Sequence, residues 1–165
     1  METGVAIQEI TQLLTFNLGE ESFAVEVGKV REVLELGKIT RVPQSPDFLR
    51  GVINLRGRAV PVVDMRVKFG FPRSEDTIET GIIVAEIGSD EKMTVLGMLV
   101  DSVDAVVEFE PHQIEPAPKI GIQLDTEFIQ GLGKREEQFV IILDIDKIFK
   151  PGELSAVTEA GEELS

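Results

Sequence analysis

Apolar and polar positions alternate from the start of the chain. Leu14, Phe16 and Leu18 are separated by Thr15 and Asn17, the period-two mark of a strand with one buried face. Gly19 to Ser22 supply a turn, and the alternation resumes at Phe23, Val25 and Val27, which predicts a hairpin. The spacing then changes: Val27, Val30, Val33 and Leu34 follow a helical period and predict a short helix or turn, ended by Gly37. Ile39 to Val42 reads as extended. Ser45 before Pro46 predicts a capped helical turn that Gly51 cuts short. Two strands follow, Val52 to Leu55 and Ala59 to Val63, around Arg56-Gly57-Arg58. Pro61 lacks an N–H, so its strand is expected at an edge or at a bulge. Asp64 is placed to cap a short helix, Met65 to Phe69, closed by Gly70.

Residues 71–80 are polar and carry Pro72, which makes them a junction. Beyond it the pattern predicts strands at Gly81 to Ile87, Met93 to Val100 and Asp104 to Phe109. A proline-rich stretch, Glu115-Pro116-Ala117-Pro118, comes next. Phe128 to Lys134 and Gln138 to Leu143 form a last strand pair, and Asp144 to Phe149 a last short helix. Residues 1–12 read as a tail, and residues 151–165 as a small, acidic, frayed one.

Aligning the chain with itself shows that the second half repeats the first. Phe48 and Gly51 fall on Phe128 and Gly131 at an offset of 80, and Asp64 and Phe69 fall on Asp144 and Phe149 at the same offset without a gap. At an offset of 73, Val27, Val30, Val33 and Glu35 fall on Val100, Val103, Val106 and Glu108. Short strands with frequent turns in a duplicated order predict an all-β fold. It would comprise two five-stranded, SH3-like barrels about a pseudo-two-fold axis, with short helical turns between strands. The first barrel would run from about 13 to 70 and the second from about 80 to 150, with strands free to interlock.

Composition agrees. Val, Ile and Leu dominate the apolar residues, alongside nine Phe and neither Trp nor Tyr, and branched side chains suit a pleated surface. The absence of cysteine removes disulfides and thiolate chemistry. No signal peptide is visible and no apolar run approaches the roughly 20 residues that span a bilayer. The expectation is a cytoplasmic protein without membrane insertion. The net charge of −14 is carried entirely by residues 71–165, which hold 21 acidic and seven basic side chains, while residues 1–70 balance nine against nine. Such a surface repels phosphate backbones, so no nucleic-acid partner is expected.

Little catalytic chemistry is available. The one histidine, His112, lies in a polar stretch, and no metal-ligand spacing occurs. None of the three Gly-Lys pairs has the preceding glycine or following Ser/Thr of a phosphate-binding loop. No cofactor, metal or enzymatic activity is expected. Arg56, between two apolar strands, has two readings: an exposed hairpin arginine, or one whose planar fork holds a carboxylate bidentately at an interface. Glu32 is the carboxylate nominated for that pairing.

Several stretches together resemble the CheW-like domain family. They are Phe48-Leu49-Arg50-Gly51-Val52-Ile53-Asn54-Leu55-Arg56-Gly57 with Val60-Pro61-Val62-Val63-Asp64, Lys29-Val30-Arg31-Glu32-Val33, Pro116-Ala117-Pro118, and Phe128-Ile129-Gln130-Gly131-Leu132-Gly133. The resemblance runs from about Leu13 to Phe149. It implies two interlocked barrels and a non-enzymatic adaptor that couples chemoreceptor cytoplasmic tips to the histidine kinase CheA at receptor arrays. Carried over by motif, a receptor-facing groove would include Val30, Glu32, Val33 and Arg56, with Val100, the repeat mate of Val27, on its other wall. Ile39, Arg41 and Val42 would meet the kinase, and Glu115 to Ile120 would make a second, ring-closing contact. In that pattern a basic residue precedes Pro-Ala-Pro. Glu115 stands there instead, and this is where the resemblance departs. An excised regulatory domain of CheA and an unrelated small-ligand-binding β-barrel are the alternatives; the Met1 start and short acidic tail favour a stand-alone coupling protein over the former.

Overall fold

The computed structural model describes residues 11–72, 75–88, 93–116, 128–150, 152–153 and 155–157. Among the described residues eleven strands are formed: β1 (Thr11–Leu18), β2 (Glu21–Glu26), β3 (Val30–Glu35), β4 (Leu49–Leu55), β5 (Arg58–Asp64), β6 (Gly81–Ile87), β7 (Thr94–Val100), β8 (Ser102–Phe109), β9 (Ile114–Glu115), β10 (Ile129–Arg135) and β11 (Gln138–Leu143). A four-residue helix α1 (Met65–Lys68) follows β5, and 3₁₀ turns occupy Val27–Lys29, Pro111–Gln113 and Ile145–Lys147.

The strands form a six-stranded sheet, β8-β1-β2-β11-β10-β9, and a five-stranded sheet, β3-β6-β7-β5-β4. Each sheet takes strands from both halves of the chain. The hairpin β1–β2 joins the C-terminal repeat through a parallel pairing of β2 with β11, and β6–β7 joins the N-terminal repeat through a parallel pairing of β7 with β5. The two parallel registers correspond: Val62 faces Gly97 in one, and their repeat mates Ile142 and Ala24 face each other in the other. The all-β, duplicated architecture is as expected, but the interlock means that no cut near residues 70–80 would separate two closed units.

The repeat residues are spent on this interlock. Phe48 packs on Phe149 with ring centroids 6.0 Å apart, and Phe128 packs on Phe69 at 5.1 Å. Each phenylalanine of the Phe-x-x-Gly motif therefore meets the helix-end phenylalanine of the other repeat. The capping backbone bonds also repeat: Asp64 N–H donates to Phe48 O and Asp144 N–H to Phe128 O, both at 2.7 Å. The motif's glycine is needed for close approach. A Cβ on Gly51 would lie 2.3 Å from Thr40 O, and one on Gly131 would lie 2.9 Å from Glu115 O.

Side chains from both sheets fill a large shared core that includes Phe16, Phe23, Leu49, Met65, Ile83, Met98, Val100 and Ile148. Smaller private cores sit within each sheet, around Val62, Ile82 and Leu99 in one and around Leu13, Phe109 and Ile142 in the other.

A buried ion cluster closes the interlock on one side. Arg66, 1% exposed, donates through Nε to Asp64 Oδ1 (3.0 Å) and through Nη2 to Asp64 Oδ2 (3.1 Å), while Asp64 also caps α1 through the Arg66 N–H at 3.0 Å. The guanidinium further binds Asp101 (3.0 Å), at the corner before β8, and Asp76 (3.2 Å), in the connection to β6. Burial works against the charge of Arg66, but the hydrogen bonds and attraction of Asp64, Asp76 and Asp101 outweigh it and raise the pKa above its usual value. The repeat mate of Arg66 is Asp146, which binds Lys29 at 2.9 Å before β3, so the second repeat has a similar clamp with reversed polarity.

Several local expectations give way. The valine spacing from Val27 yields only a three-residue 3₁₀ turn. Val30–Glu35 is a strand with Arg31, Val33 and Glu35 exposed, and a bulge between Val30 and Glu32 shifts its phase. Ser45 opens no helix; its hydroxyl donates back to Val42 O at 2.7 Å. Pro61 lies in an interior strand, paired with Val52, and the parallel ladder to β7 begins only at Val62, beyond the missing N–H. The end of the chain is not simply frayed: residues 155–157 are helical and Val157 is fully buried in the shared core.

Candidate functional site

The β4–β5 hairpin turns through Arg56 and Gly57, between Leu55 and Arg58. Both central residues have positive φ, +50° and +85°, as a type I′ turn requires. Asn54 braces the turn by accepting the Gly57 N–H at 2.8 Å. A non-glycine residue in this conformation carries a strain of about 1 kcal/mol. The conformation aims the Arg56 side chain across to β3, where its two terminal nitrogens meet both oxygens of Glu32; the Nη1–Oε1 distance is 3.4 Å and the Nη2–Oε2 contact is closer.

The pair formed is the one nominated from sequence, between residues 24 apart. Arg56 is 72% exposed and Glu32 26%. The hydrogen bond from Arg56 holds the Glu32 carboxyl below its ordinary value, with help from the charges of Arg56 and Arg31, and Glu32 in turn raises the Arg56 guanidinium. In the β10–β11 hairpin the mate of Arg56, Glu136, also has a positive φ (+60°), but the repeat mate of Glu32 is Ala105. The ion pair therefore belongs to one repeat alone.

Val33, the next residue on β3, is 45% exposed on the opposite face from Glu32, and Val30 is half-buried against the shared core. Val100 is not with them. It is fully buried at the end of β7, within the shared core, and offers no surface. The offset of 73 already held the better choice: Val103 and Val106, the mates of Val30 and Val33, lie on β8, and Val106 is 56% exposed. Both β3 and β8 end their sheets. Gly81 lies between them, its would-be Cβ 3.3 Å from Val103 Cγ2 and 3.5 Å from Leu34 O. The exposed Val33 on β3 and Val106 on β8 offer apolar area at two sheet edges, and the Glu32–Arg56 pair on the other face of β3 offers a fixed charge, features suited to holding an apolar partner element in register.

Ile39, Arg41 and Val42 lie together on another part of the five-stranded sheet's flank. Ile39 packs beneath the strands, while Arg41 and Val42 line a cleft of about 240 Å³ with Ser45, Pro46, Asp47, Leu49 and Arg50. Glu115 lies on β9 of the other sheet and pairs with Lys134 at 2.6 Å. Its position mirrors that of Thr40: Thr40 bridges Val52, and Glu115 bridges Leu132, 80 residues on. The two predicted kinase contacts are thus repeat mates. Ile120 lies outside the described residues. Among the described residues no group of His, Asp and Glu could hold a metal ion, and no helix is long and apolar enough to cross a membrane.

Comparison with known proteins points the same way. The family model described as "CheW-like domain" matches residues 12–153. The chemotaxis protein CheW of Klebsiella aerogenes is 38% identical over 149 residues, covering 88% of this chain and 86% of the relative. That of Thermotoga maritima is 35% identical over 142 residues, covering 84% and 87%. The crystal structure of a scaffolding protein, CheW from Thermoanaerobacter tengcongensis, superposes with a TM-score of 0.76 at 30% identity, covering 88% of this chain and 96% of that one.

Proposed function

We propose that this chain, which belongs to the CheW-like domain family, works as a scaffold that couples chemoreceptor cytoplasmic tips to the histidine kinase CheA. Relatives named chemotaxis protein CheW, and a solved scaffolding protein of the family, make this chain a non-enzymatic chemotaxis scaffold of that kind. Its partners, and a place at receptor arrays on the cytoplasmic side of the membrane, are our reading.

One observation supports the assignment of the receptor side: on β3, Glu32 is locked to Arg56 on one face while Val30 and Val33 lie on the other, where Val103 of β8 approaches across Gly81. A receptor tip is an elongated element that must be gripped in one register. Apolar contact along β3 and β8 supplies area, and the oriented charge pair supplies register and partner choice. The cleft lined by Arg41 and Val42 would serve the kinase, and Glu115 a second kinase contact. Coupling then follows when both partners bind one rigid body and each restricts the geometry open to the other.

Mixing the protein with CheA and a receptor cytoplasmic fragment, and capturing one by the other, tests the reading directly. Arg56→Glu should keep the melting temperature of the wild type while receptor capture and kinase activation drop together. Full kinase activation by that variant would remove Arg56 from the site, and failure of the wild-type protein to bind either partner would remove the coupling function.

A further inference from the structure

The connection between α1 and β6 carries a feature that the coupling surfaces leave unexplained. Five large apolar side chains stand out among the described residues. Val33, Met93, Val106 and Phe139 are 44–56% exposed, whereas Ile78 is 100% exposed. Single exposed apolar residues are ordinary on protein surfaces. This one differs in how firmly the backbone beneath it is held. Thr77 N–H donates to Thr80 Oγ1 (2.7 Å), Thr80 N–H to Thr77 O (3.1 Å) and Glu79 N–H to Thr77 Oγ1 (3.1 Å), so the turn has Ile78 at its tip. Thr80 is only 3% exposed, and on the other side Asp76 is bound by Arg50 and by the buried Arg66. Turns favour Gly, Pro, Asn, Asp and Ser, each for its own backbone reason, and isoleucine has none of these reasons. No packing among the described residues accounts for it either.

Its surroundings define what it fits. Glu75 and Glu79 flank the tip and are exposed, so the knob is apolar at its centre and anionic at its rim. Arg50 ties it to a known neighbour: that side chain lines the cleft with Arg41 and Val42 and also holds Asp76, two residues before Ile78. Knob and recess thus sit side by side on the flank that the proposed function gives to the kinase.

We infer that the Thr77–Thr80 turn is a third docking element, and that Ile78 inserts into an apolar pocket rimmed by Lys or Arg on the kinase partner. This rests on the coupling function proposed above. The ion cluster around Arg66 gives the knob a fixed position before the partner arrives, which lowers the ordering cost of binding.

The test measures affinity for the CheA regulatory domain and, separately, for a receptor cytoplasmic fragment. Ile78→Ser should bind the kinase domain about tenfold or more weakly, the loss expected when one isoleucine is no longer buried. Its receptor affinity and melting temperature should match the wild type, since the side chain is fully exposed among the described residues. Glu79→Lys should also weaken kinase binding and flatten its dependence on salt. Unchanged kinase affinity for Ile78→Ser overturns the inference alone, as does a loss confined to the receptor fragment. If the wild-type protein binds neither partner, the coupling reading falls and takes the inference with it.

Discussion

Removing the buried arginine offers a sharp energetic test of the interlock. Arg66 and Asp64 are each only 1% exposed, and three of the donor contacts described above join them. Arg66→Met keeps much of the side-chain volume but leaves Asp64 as a buried carboxylate facing an apolar chain. Asp76 and Asp101, 29% and 24% exposed, can turn to water, and Asp76 keeps Arg50. The cost is therefore concentrated on Asp64, and breaking a buried pair from one side costs about 3–5 kcal/mol. With a urea slope of about 2 kcal/mol/M, the unfolding midpoint followed by circular dichroism should fall by about 2 M. Asp64→Asn keeps an oxygen for the Arg66 N–H cap but removes the charge. The double variant Asp64→Asn/Arg66→Met should then lose less than the two singles combined, by more than about 1 kcal/mol. A loss below about 1 kcal/mol in Arg66→Met, or single effects that simply add, would show that Arg66 does not hold the repeats together.

Three further outcomes follow from the same geometry. Gly51→Ala places a methyl 2.3 Å from Thr40 O, against backbone that cannot rotate away; it should destabilise by more than 2 kcal/mol, on the order of an overpacked core, whereas Gly57→Asn, in open space at positive φ, should be tolerated in the same melt. Truncation after Lys150 exposes the site of Val157, and thermal unfolding should report a loss of about 1.5–3 kcal/mol; an unchanged melting temperature would mean the C-terminal turn is not docked in solution. Asp76 has its carboxyl pKa held below the ordinary 3.8, chiefly by the hydrogen bond from Arg50 and then by that from Arg66. A depressed folded-state pKa stabilises fully above the unfolded value and is lost as pH falls through the folded one, so stability should decline below about pH 4, and Asp76→Asn should show a shallower decline in urea titrations across that range.

Much of the fold was legible because it is encoded between near neighbours. Alternation at Leu14–Leu18 and Phe23–Val27 set the first hairpin, and Asp64 and Asp144 announced the helical turns they cap. Arg56 and Glu32 were matched by the chemistry of a planar guanidinium and a carboxylate, while their meeting depends on the tertiary fold, since β3 and the β4–β5 hairpin are not neighbours in the sheet order. The segment after Val27 is ambiguous in sequence, because valines spaced by three satisfy a helix and a bulged strand alike. Repeat position does not say which face each repeat turns to the shared core, so Val100 is buried in it while its mate Val27 is only partly buried.

The sequence by itself determined the β character, most strand positions, the duplication and the motifs of the family, since each is a pattern readable within a few residues or at a fixed offset. The tertiary structure alone decided which hairpin joins which sheet, that each motif phenylalanine packs on the opposite repeat, and that Arg66 gathers three carboxylates 2, 10 and 35 residues away. It also decided which valines stay exposed, Val33 and Val106 rather than Val100. These outcomes depend on contacts between distant segments, where the interlock selects the partner and burial follows from where the sheets meet rather than from the residue's own character.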